Sequence, residues 1–167
     1  MGFKLVPLIA FGVLGLGNLL HIVGLATPEW VTADISVPFL GSTDTTRGLW
    51  EGCIDGECDS YDKKTDWLKA CQAMAILGML AGLVAALMAG VVFVMGLMKK
   101  DSTQAIGIIA LLSAISSFIM ILICVIVFAV KMKEGDSGWD FGYSFGLSIA
   151  GALLIAIGGG IAFGGSR

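Results

Sequence analysis

The cysteines, the histidine and the acidic residues of this chain are the side chains whose types could carry chemistry. Cys53 and Cys58 lie five positions apart in a polar segment, a spacing that invites a disulfide. A structural disulfide persists only in an oxidising compartment. Cys71 and Cys124 lie in or near apolar runs, where a free cysteine usually acts as a small buried hydrophobe. A Cys-x-x-Cys redox pair does not occur in the sequence, so the cysteines predict one structural disulfide rather than redox catalysis.

The single histidine, His21, lies one helical turn after Asn18 inside an apolar run. Polar groups inside a membrane are often functional. At helical rise, however, His21 is only about 10 Å from Pro28, near the end of the run, where one interhelical hydrogen bond would satisfy it. The first three apolar runs contain no acid that could act as its partner. We therefore expect a structural role for His21 rather than a proton relay.

Acidic residues concentrate between the first two apolar runs. Residues 27–69 contain nine acids and four bases, a net charge of −5. Such a loop could attract cations, but a charged loop is usually a solvated face. The acids around the cysteines lack the spacing of an EF-hand calcium loop, so we expect no metal site; these acids are Asp55, Glu57, Asp59 and Asp62.

The polar residues embedded in the apolar runs offer little to an enzyme. A four-helix membrane enzyme of glutathione or lipid chemistry needs polar and cationic groups around a cavity. The embedded candidates are few: Asn18, His21, Ser113, Ser116 and Ser117. There is no nucleophile and base pair, Gly-rich phosphate cradle or nucleic-acid patch in the sequence. We expect a non-enzymatic protein without a cofactor and without nucleic acid as a partner.

Four apolar runs must position all of these residues. The chain of 167 residues is 57% hydrophobic and 14% charged, which is too apolar for a soluble domain. Each run can cross a hydrocarbon core of about 30 Å and must be helical, because an isolated strand cannot satisfy its backbone in lipid. The first run has 22 residues and exceeds the apolar core of a signal peptide, so we expect it to be retained. The predicted helices are 5–26, 70–98, 105–130 and 141–163.

The connections between the predicted helices determine the topology. Residues 27–69 and 131–140 share one side of the membrane, and the turn 99–104 shares the other side with both termini. Basic residues do not decide the orientation, since four lie on the side of the termini and six on the other. The cysteine pair favours an outward position for residues 27–69. We predict one four-span domain in the plasma membrane, with both termini in the cytoplasm.

The long connection 27–69 also contains strand signals. Trp30–Val37 alternates apolar and polar residues with a period of two, and Pro38 then breaks the pattern. Arg47–Ile54 is a second candidate strand, and a disulfide around Asp55-Gly56 would mainly fix a local turn. The expected fold is an all-α membrane protein: a four-helix transmembrane bundle with a small extracellular antiparallel β-sheet between helices 1 and 2.

Small residues recur at intervals of four on two of the predicted helices, a spacing that lets helix backbones approach. They are Gly78, Gly82, Ala86 and Gly90 on the second helix, and Gly142, Gly146 and Ala150 on the fourth. We expect these faces to pack inside the bundle, and a contact with another protein is the alternative.

Trp30, then Gly48-Leu49-Trp50, then Cys53 and Cys58, placed between the first two of four helices, resemble the signature of the claudin and peripheral myelin protein superfamily. The four residues between the cysteines are fewer than is usual in claudins. This spacing is more similar to the branch that contains the lens fibre intrinsic membrane protein and the epithelial membrane proteins. The Gln-Ala-x-x-Ile-Leu pattern at 72–77 also resembles that branch, although the chain lacks the Asn-x-Ser/Thr sequon frequent there.

The resemblance implies a left-handed four-helix bundle capped by an extracellular sheet, with no catalysis. It implies a protein of cell–cell contacts that acts in adhesion, in junction or barrier formation, or in membrane organisation. The partners would be the lipid bilayer and the same or related tetraspan proteins, in the same membrane or across from it. Trp139, Phe141 and Tyr143 would suit such a contact, or would form an aromatic belt at the membrane boundary. The alternative function is an auxiliary or trafficking subunit of a channel or receptor.

Overall fold

The structure is a computed structural model that describes residues 5–37, 41–62, 64–98, 103–135 and 138–167. The described residues form four helices and one five-stranded sheet. In chain order the elements are α1 (Leu5–Ala26), β1 (Val31–Val37), β2 (Gly41–Arg47), β3 (Glu51–Ile54), β4 (Glu57–Ser60), α2 (Asp66–Leu97), α3 (Gln104–Gly135), β5 (Asp140–Phe141) and α4 (Tyr143–Gly165).

All four helices are long and apolar enough to cross a membrane. α1 and α4 have 22 and 23 residues, whereas α2 and α3 each have 32. About 20 residues span the hydrocarbon core, so α2 and α3 extend beyond it.

The bounds of the two long helices differ from the prediction. α2 begins at Asp66 instead of residue 70, and α3 continues to Gly135 instead of ending at 130. Both helices extend beyond their apolar runs, because charged residues outside the membrane can also adopt helical conformation. Ion pairs one turn apart occur in both extensions, Lys69 with Asp66 at 3.3 Å and Lys131 with Glu134 at 2.6 Å.

The helices α1 and α4 form the most extensive helix contact, which we call the α1–α4 seam and define by Gly17, Gly24, Gly151 and Gly158. A Cβ atom at Gly17 would lie 2.9 Å from the carbonyl oxygen of Gly151, and one at Gly151 would lie 2.6 Å from that of Gly17. On each helix the two glycines are seven residues apart, the repeat of a left-handed helix pair. Only glycine fits at this backbone separation.

The glycines predicted for packing on the fourth helix, Gly142 and Gly146, lie outside the α1–α4 seam. Gly146 is exposed, and a Cβ atom there would meet nothing within 4 Å, so it takes no part in packing within this chain. Gly142 precedes the helix and lies against the carbonyl group of Glu29. Gly151 and Gly158, rather than Gly146, face α1, because small residues occur on more than one side of α4.

The small residues of α2 face neighbouring helices. A Cβ atom at Gly78 would lie 2.7 Å from the Ile121 side chain of α3, and one at Gly82 would lie 2.5 Å from Oδ1 of Asn18 in α1. Ala86 is buried, and the ring of Phe11 lies against Gly90.

The sheet has the strand order β4-β3-β2-β1-β5, and every neighbouring pair is antiparallel. β2 was not predicted as a strand, because its Ser- and Thr-rich sequence has no apolar alternation. The predicted strand Arg47–Ile54 is divided, since the Gly48 N–H donates to the carbonyl of Glu51 at 2.9 Å and turns the chain between β2 and β3. β5 comes from the connection between α3 and α4, and pairs Phe141 with Val31.

β3 and β4 form a hairpin that contains the predicted disulfide. Asp55 and Gly56 have φ angles of 49° and 85° at its tip, and glycine adopts such angles without strain. Cys53 and Cys58 are directly opposed in the register and are joined by a disulfide with an S–S distance of 2.00 Å. The prediction of the Cys53–Cys58 disulfide is confirmed.

Candidate functional site

The residues of the predicted signature meet where the sheet rests on the helix ends, a region that we call the sheet–bundle junction and define by Trp30, Leu49, Trp50 and Gln72. Trp30 is fully buried, and its Nε1 donates to the carbonyl of Gly24 at 2.7 Å. Its ring makes edge contacts with Phe128 of α3 at 5.0 Å and Phe145 of α4 at 5.9 Å between ring centroids. One indole therefore joins β1 to three helices.

Trp50 and Leu49 attach the turn between β2 and β3 to α1 and α2. Nε1 of Trp50 donates to the carbonyl of Leu25 at 2.9 Å. Leu49 is fully buried, and its carbonyl accepts a hydrogen bond of 2.6 Å from Nε2 of Gln72. An unpaired buried carbonyl would cost about 1–3 kcal/mol, so the Gln72 amide stabilises the turn.

Gly48 and Tyr61 complete this turn. A Cβ atom at Gly48 would lie 2.6 Å from Cα of Pro28, so a side chain cannot fit there. The hydroxyl of Tyr61 lies 3.0 Å from the carbonyl oxygens of both Gly48 and Glu51, to either of which it can donate. Burial raises the pKa of Tyr61. The charge of the nearby Glu51 raises this pKa further, whereas the charge of Arg47 lowers it.

The backbone before β1 caps the N-terminus of α4. The Ser144 N–H donates to the carbonyl of Glu29 at 3.1 Å, and the Gly142 N–H donates to the carbonyl of Trp30 at 3.0 Å. The first N–H groups of a helix have no partner within the helix, so these carbonyls supply what a capping side chain would otherwise supply. The long connection thereby fixes where the last helix begins.

Most of the acids in the sheet lie at exposed positions. Asp34 and Asp44 are directly opposed across β1 and β2, and a hydrogen bond with Asp34, together with repulsion by it, raises the pKa of the Asp44 carboxyl. The Asp44 N–H also donates to Oδ1 of Asp55 at 3.2 Å. Like charges directly opposed on a sheet destabilise it.

The three aromatic residues predicted as a contact surface differ in exposure. Trp139 is half-buried, and the guanidinium of Arg47 lies 5.4 Å from the centroid of its ring. Phe141 lies in β5 and stacks on Phe145 at 4.5 Å, and Tyr143 is 52% exposed at the start of α4.

Polar side chains inside the bundle mostly bond to backbone. Nε2 of His21 donates to the carbonyl of Ala75 at 3.2 Å, since a carbonyl oxygen can only accept. Nδ2 of Asn18 donates to the carbonyl of Leu14 at 2.8 Å. In the part of the chain that the structure describes, the polar atoms buried without a hydrogen-bond partner are Asn18 Oδ1, His21 Nδ1 and Ser148 Oγ.

The model of the PMP-22/EMP/MP20/Claudin family matches residues 4–162 of the chain. The chain belongs to this family. A search of the curated proteins found no match. As a member of the PMP-22/EMP/MP20/Claudin family with four spanning helices, the protein is a multi-pass membrane protein of the tetraspan, junction-type class, and the family is generally non-enzymatic.

The members of the family signature form two groups in this structure. Trp30, Leu49 and Trp50 anchor the sheet, whereas Cys53 and Cys58 lie outside these anchors in the β3–β4 hairpin. Glu51 has a carboxylate oxygen within 4.8 Å of the two sulfurs. A metal would need thiolate ligands, so the disulfide leaves these sulfurs unavailable for coordination.

Sequence reasoning missed several residues of the sheet–bundle junction and of the bundle interior. Gln72, Tyr61 and Glu29 each make a hydrogen bond to or from a distant part of the backbone. Ser144 and Ser148 are fully buried but were not counted among the embedded polar residues. The position of Gln72, a polar residue at the edge of an apolar run, was the sequence signal that could have indicated such a hydrogen bond.

Proposed function

We propose that the protein acts at cell–cell contacts, in adhesion or barrier formation, with its sheet on the outer face of the plasma membrane and both termini in the cytoplasm. The pairing of β5 with β1 supports this proposal most directly, since it joins the two connections on that side into one surface. The disulfide supports the outward orientation, because it needs an oxidising compartment.

The proposed role is non-enzymatic and depends on a rigid display. Trp30 and Trp50 bond to the end of α1, so the sheet keeps its position relative to the bilayer. Tyr143, at the start of α4, and Ile54, at the end of β3, are exposed by 52% and 59%. Exposed apolar and aromatic side chains on a fixed support suit contact with the same or a related tetraspan protein.

Cells that lack adhesion molecules test the proposal. Cells that express the protein should aggregate, and the protein should concentrate at contacts where both apposed cells express it. Tyr143→Ala should weaken this enrichment without changing surface delivery, and Tyr143→Phe should retain it. Normal surface delivery without aggregation or enrichment would refute the proposal.

An auxiliary or trafficking subunit of a channel or receptor is a second proposed function. Gly160 and Gly164 on α4 are both exposed, and a Cβ atom at either would meet nothing within 4 Å. Small residues four apart on an outward helix face suit close approach by a partner's helix. Copurification of a stoichiometric channel or receptor in mild detergent would favour this function, and self-assembled strands would favour cell contact.

A further inference from the structure

A cavity of about 170 Å³ lies between the sheet and the ends of α2 and α3. Its inner wall consists of Leu68, Phe128 and Met132, all of which are buried. Trp67 adds a half-buried aromatic wall. A dry cavity of about 150 Å³ with such a lining binds benzene, so this volume can take a short length of hydrocarbon chain.

The rim of the cavity is polar. Arg47, Thr65 and Tyr61 line it, and Arg47 and Thr65 are exposed. The Tyr61 hydroxyl is occupied by backbone carbonyls, and the Thr65 hydroxyl makes no capping bond to α2. Among the described residues, no carboxylate lies within ion-pair distance of Arg47. The guanidinium therefore has donors available for an anion.

The cavity lies at the boundary of the membrane. The apolar run of α2 begins at residue 70, just after Trp67, and that of α3 ends at residue 130, between Phe128 and Met132. Tryptophan and arginine are typical of this level, where an aromatic ring or an aliphatic stem contacts hydrocarbon and the polar end contacts headgroups. At this depth in the membrane, a phospholipid is the molecule that offers both a hydrocarbon chain and a phosphate.

We propose that this cavity is a binding site for one glycerophospholipid of the sheet-side leaflet. The phosphate would accept hydrogen bonds from the guanidinium of Arg47, which forms paired bonds with phosphate oxygens. The first part of one acyl chain would lie against Trp67, Phe128 and Met132. The bound lipid fills the gap between the sheet and the two long helices and is independent of the partner bound by the outer surface.

Native mass spectrometry of protein reconstituted with phosphatidylglycerol and extracted in mild detergent tests the site. Wild type should retain one phospholipid, and Arg47→Gln should reduce its occupancy roughly tenfold, as expected for loss of one charge-assisted interaction. Lys64→Gln is the matched control, because the Lys64 ammonium lies over the Trp50 ring at 5.7 Å and does not line the cavity. Equal retention by Arg47→Gln and Lys64→Gln would overturn the proposal.

A variant that fills the cavity provides an independent test. Thr65→Trp should exclude the lipid while the helix start is preserved, since the Thr65 side chain makes no capping bond. A phospholipid with a photoreactive acyl chain should crosslink near Trp67 or Met132 in wild type and not in Thr65→Trp. Diacylglycerol and a sterol should compete poorly. Retention of lipid by Thr65→Trp, or stronger binding of sterol than of phospholipid, would show that the site is not a phospholipid site.

Discussion

The α1–α4 seam and the sheet–bundle junction both hold α1 to the rest of the protein, but through opposite features. In the seam, backbones approach so closely that a Cβ atom at Gly24 would lie 2.6 Å from Oγ of Ser148. In the junction, the largest fully buried side chain, Trp30, fills the space and donates a hydrogen bond to the backbone of Gly24. Gly24 therefore belongs to both regions.

The difference follows from the surroundings of each region. Lipid is as apolar as the helix surfaces. Two helices in a membrane therefore gain little hydrophobic free energy when they bury surface against each other, and they associate through close packing. At the membrane boundary, indole and amide N–H groups can satisfy carbonyls that helix ends and turns leave free. The seam should therefore be sensitive to added atoms, and the junction should be sensitive to removed atoms.

The largest effect is expected from adding volume to the seam. Gly24→Leu would force its side chain into Ser148 Oγ and into the carbonyl oxygen of Ser144, which would lie only 2.7 Å from the new Cβ atom. We expect a loss of more than about 5 kcal/mol, beyond the usual range of overpacking costs, because backbone cannot move aside as a side chain can. Size-exclusion chromatography and the thermal transition in mild detergent would measure the folded fraction.

Gly15→Leu is the control for that experiment, since a Cβ atom at Gly15 would meet nothing within 4 Å on the same helix. It should fold as wild type does. If both leucine variants behaved alike, close packing would not distinguish the seam.

Removing volume from the junction should have the next largest effect. Trp30→Ala should cost about 3–5 kcal/mol through the lost ring. Trp30→Phe, which keeps an aromatic ring but leaves the Gly24 carbonyl without its donor, should cost about 1–3 kcal/mol. The thermal transition and surface delivery of the three proteins should fall in the order wild type, Trp30→Phe, Trp30→Ala. Equal stability of the three proteins would show that Trp30 does not anchor the sheet.

Removing one hydrogen bond from the junction should have a smaller effect. Gln72→Leu keeps apolar volume but leaves the buried Leu49 carbonyl unpaired, at a cost of about 1–3 kcal/mol. Gln104→Leu, at the exposed start of α3, is the matched control and should be neutral. The comparison of the two thermal transitions checks this, and an unstable Gln104→Leu with a stable Gln72→Leu would contradict it.

The smallest effect concerns the exposed acids of the sheet. The pKa of Asp44 is raised in the folded state by its hydrogen bond to Asp34 and by repulsion, so the folded protein holds the proton more tightly than the unfolded chain does. Its stabilising contribution is therefore present at low pH and is lost as the pH rises through the folded pKa. Asp44→Asn should flatten this pH dependence, measured by amide exchange in β1 and β2 after correction for intrinsic rates.

Asp59→Asn is the control for the pH experiment, because Asp59 lies exposed in β4 and has no carboxylate opposite it in the register, its partner being Gly52. The pH profile of this variant should match wild type. A profile flattened equally by both substitutions would show that Asp34 and Asp44 are not a special pair.

The sequence was sufficient to predict the bundle and the disulfide, because apolar length and cysteine placement are local properties. The bounds of α1, 5–26, agree with the structure. β2 and β5 were missed because one is polar throughout and the other has two residues, and both exist through pairing with β1. The sequence also does not show which glycine of α4 faces α1, since only the fold places Gly151, and not Gly146, against Gly17.

The aromatic anchors could be predicted as a group, but their contacts could not. Trp30 and Trp50 donate to carbonyls of α1, and Gln72 donates to a carbonyl of the turn. Backbone carbonyls have no sequence signal, so an acceptor can be found only once the chain is folded. For the same reason, the role of the Glu29 carbonyl at the start of α4 could not be predicted from the sequence.

The pairing of α1 with α4 sets an order for biogenesis. The ribosome makes α1 before α4, with which α1 has its most extensive helix contact, so the α1–α4 seam cannot close until α4 has been synthesised. Until then, Gly17, Gly24 and the buried His21 have no α4 surface against them. A nascent chain arrested before α4 would present this polar, glycine-rich face to lipid and to membrane chaperones, and so would be recognisable as unfinished.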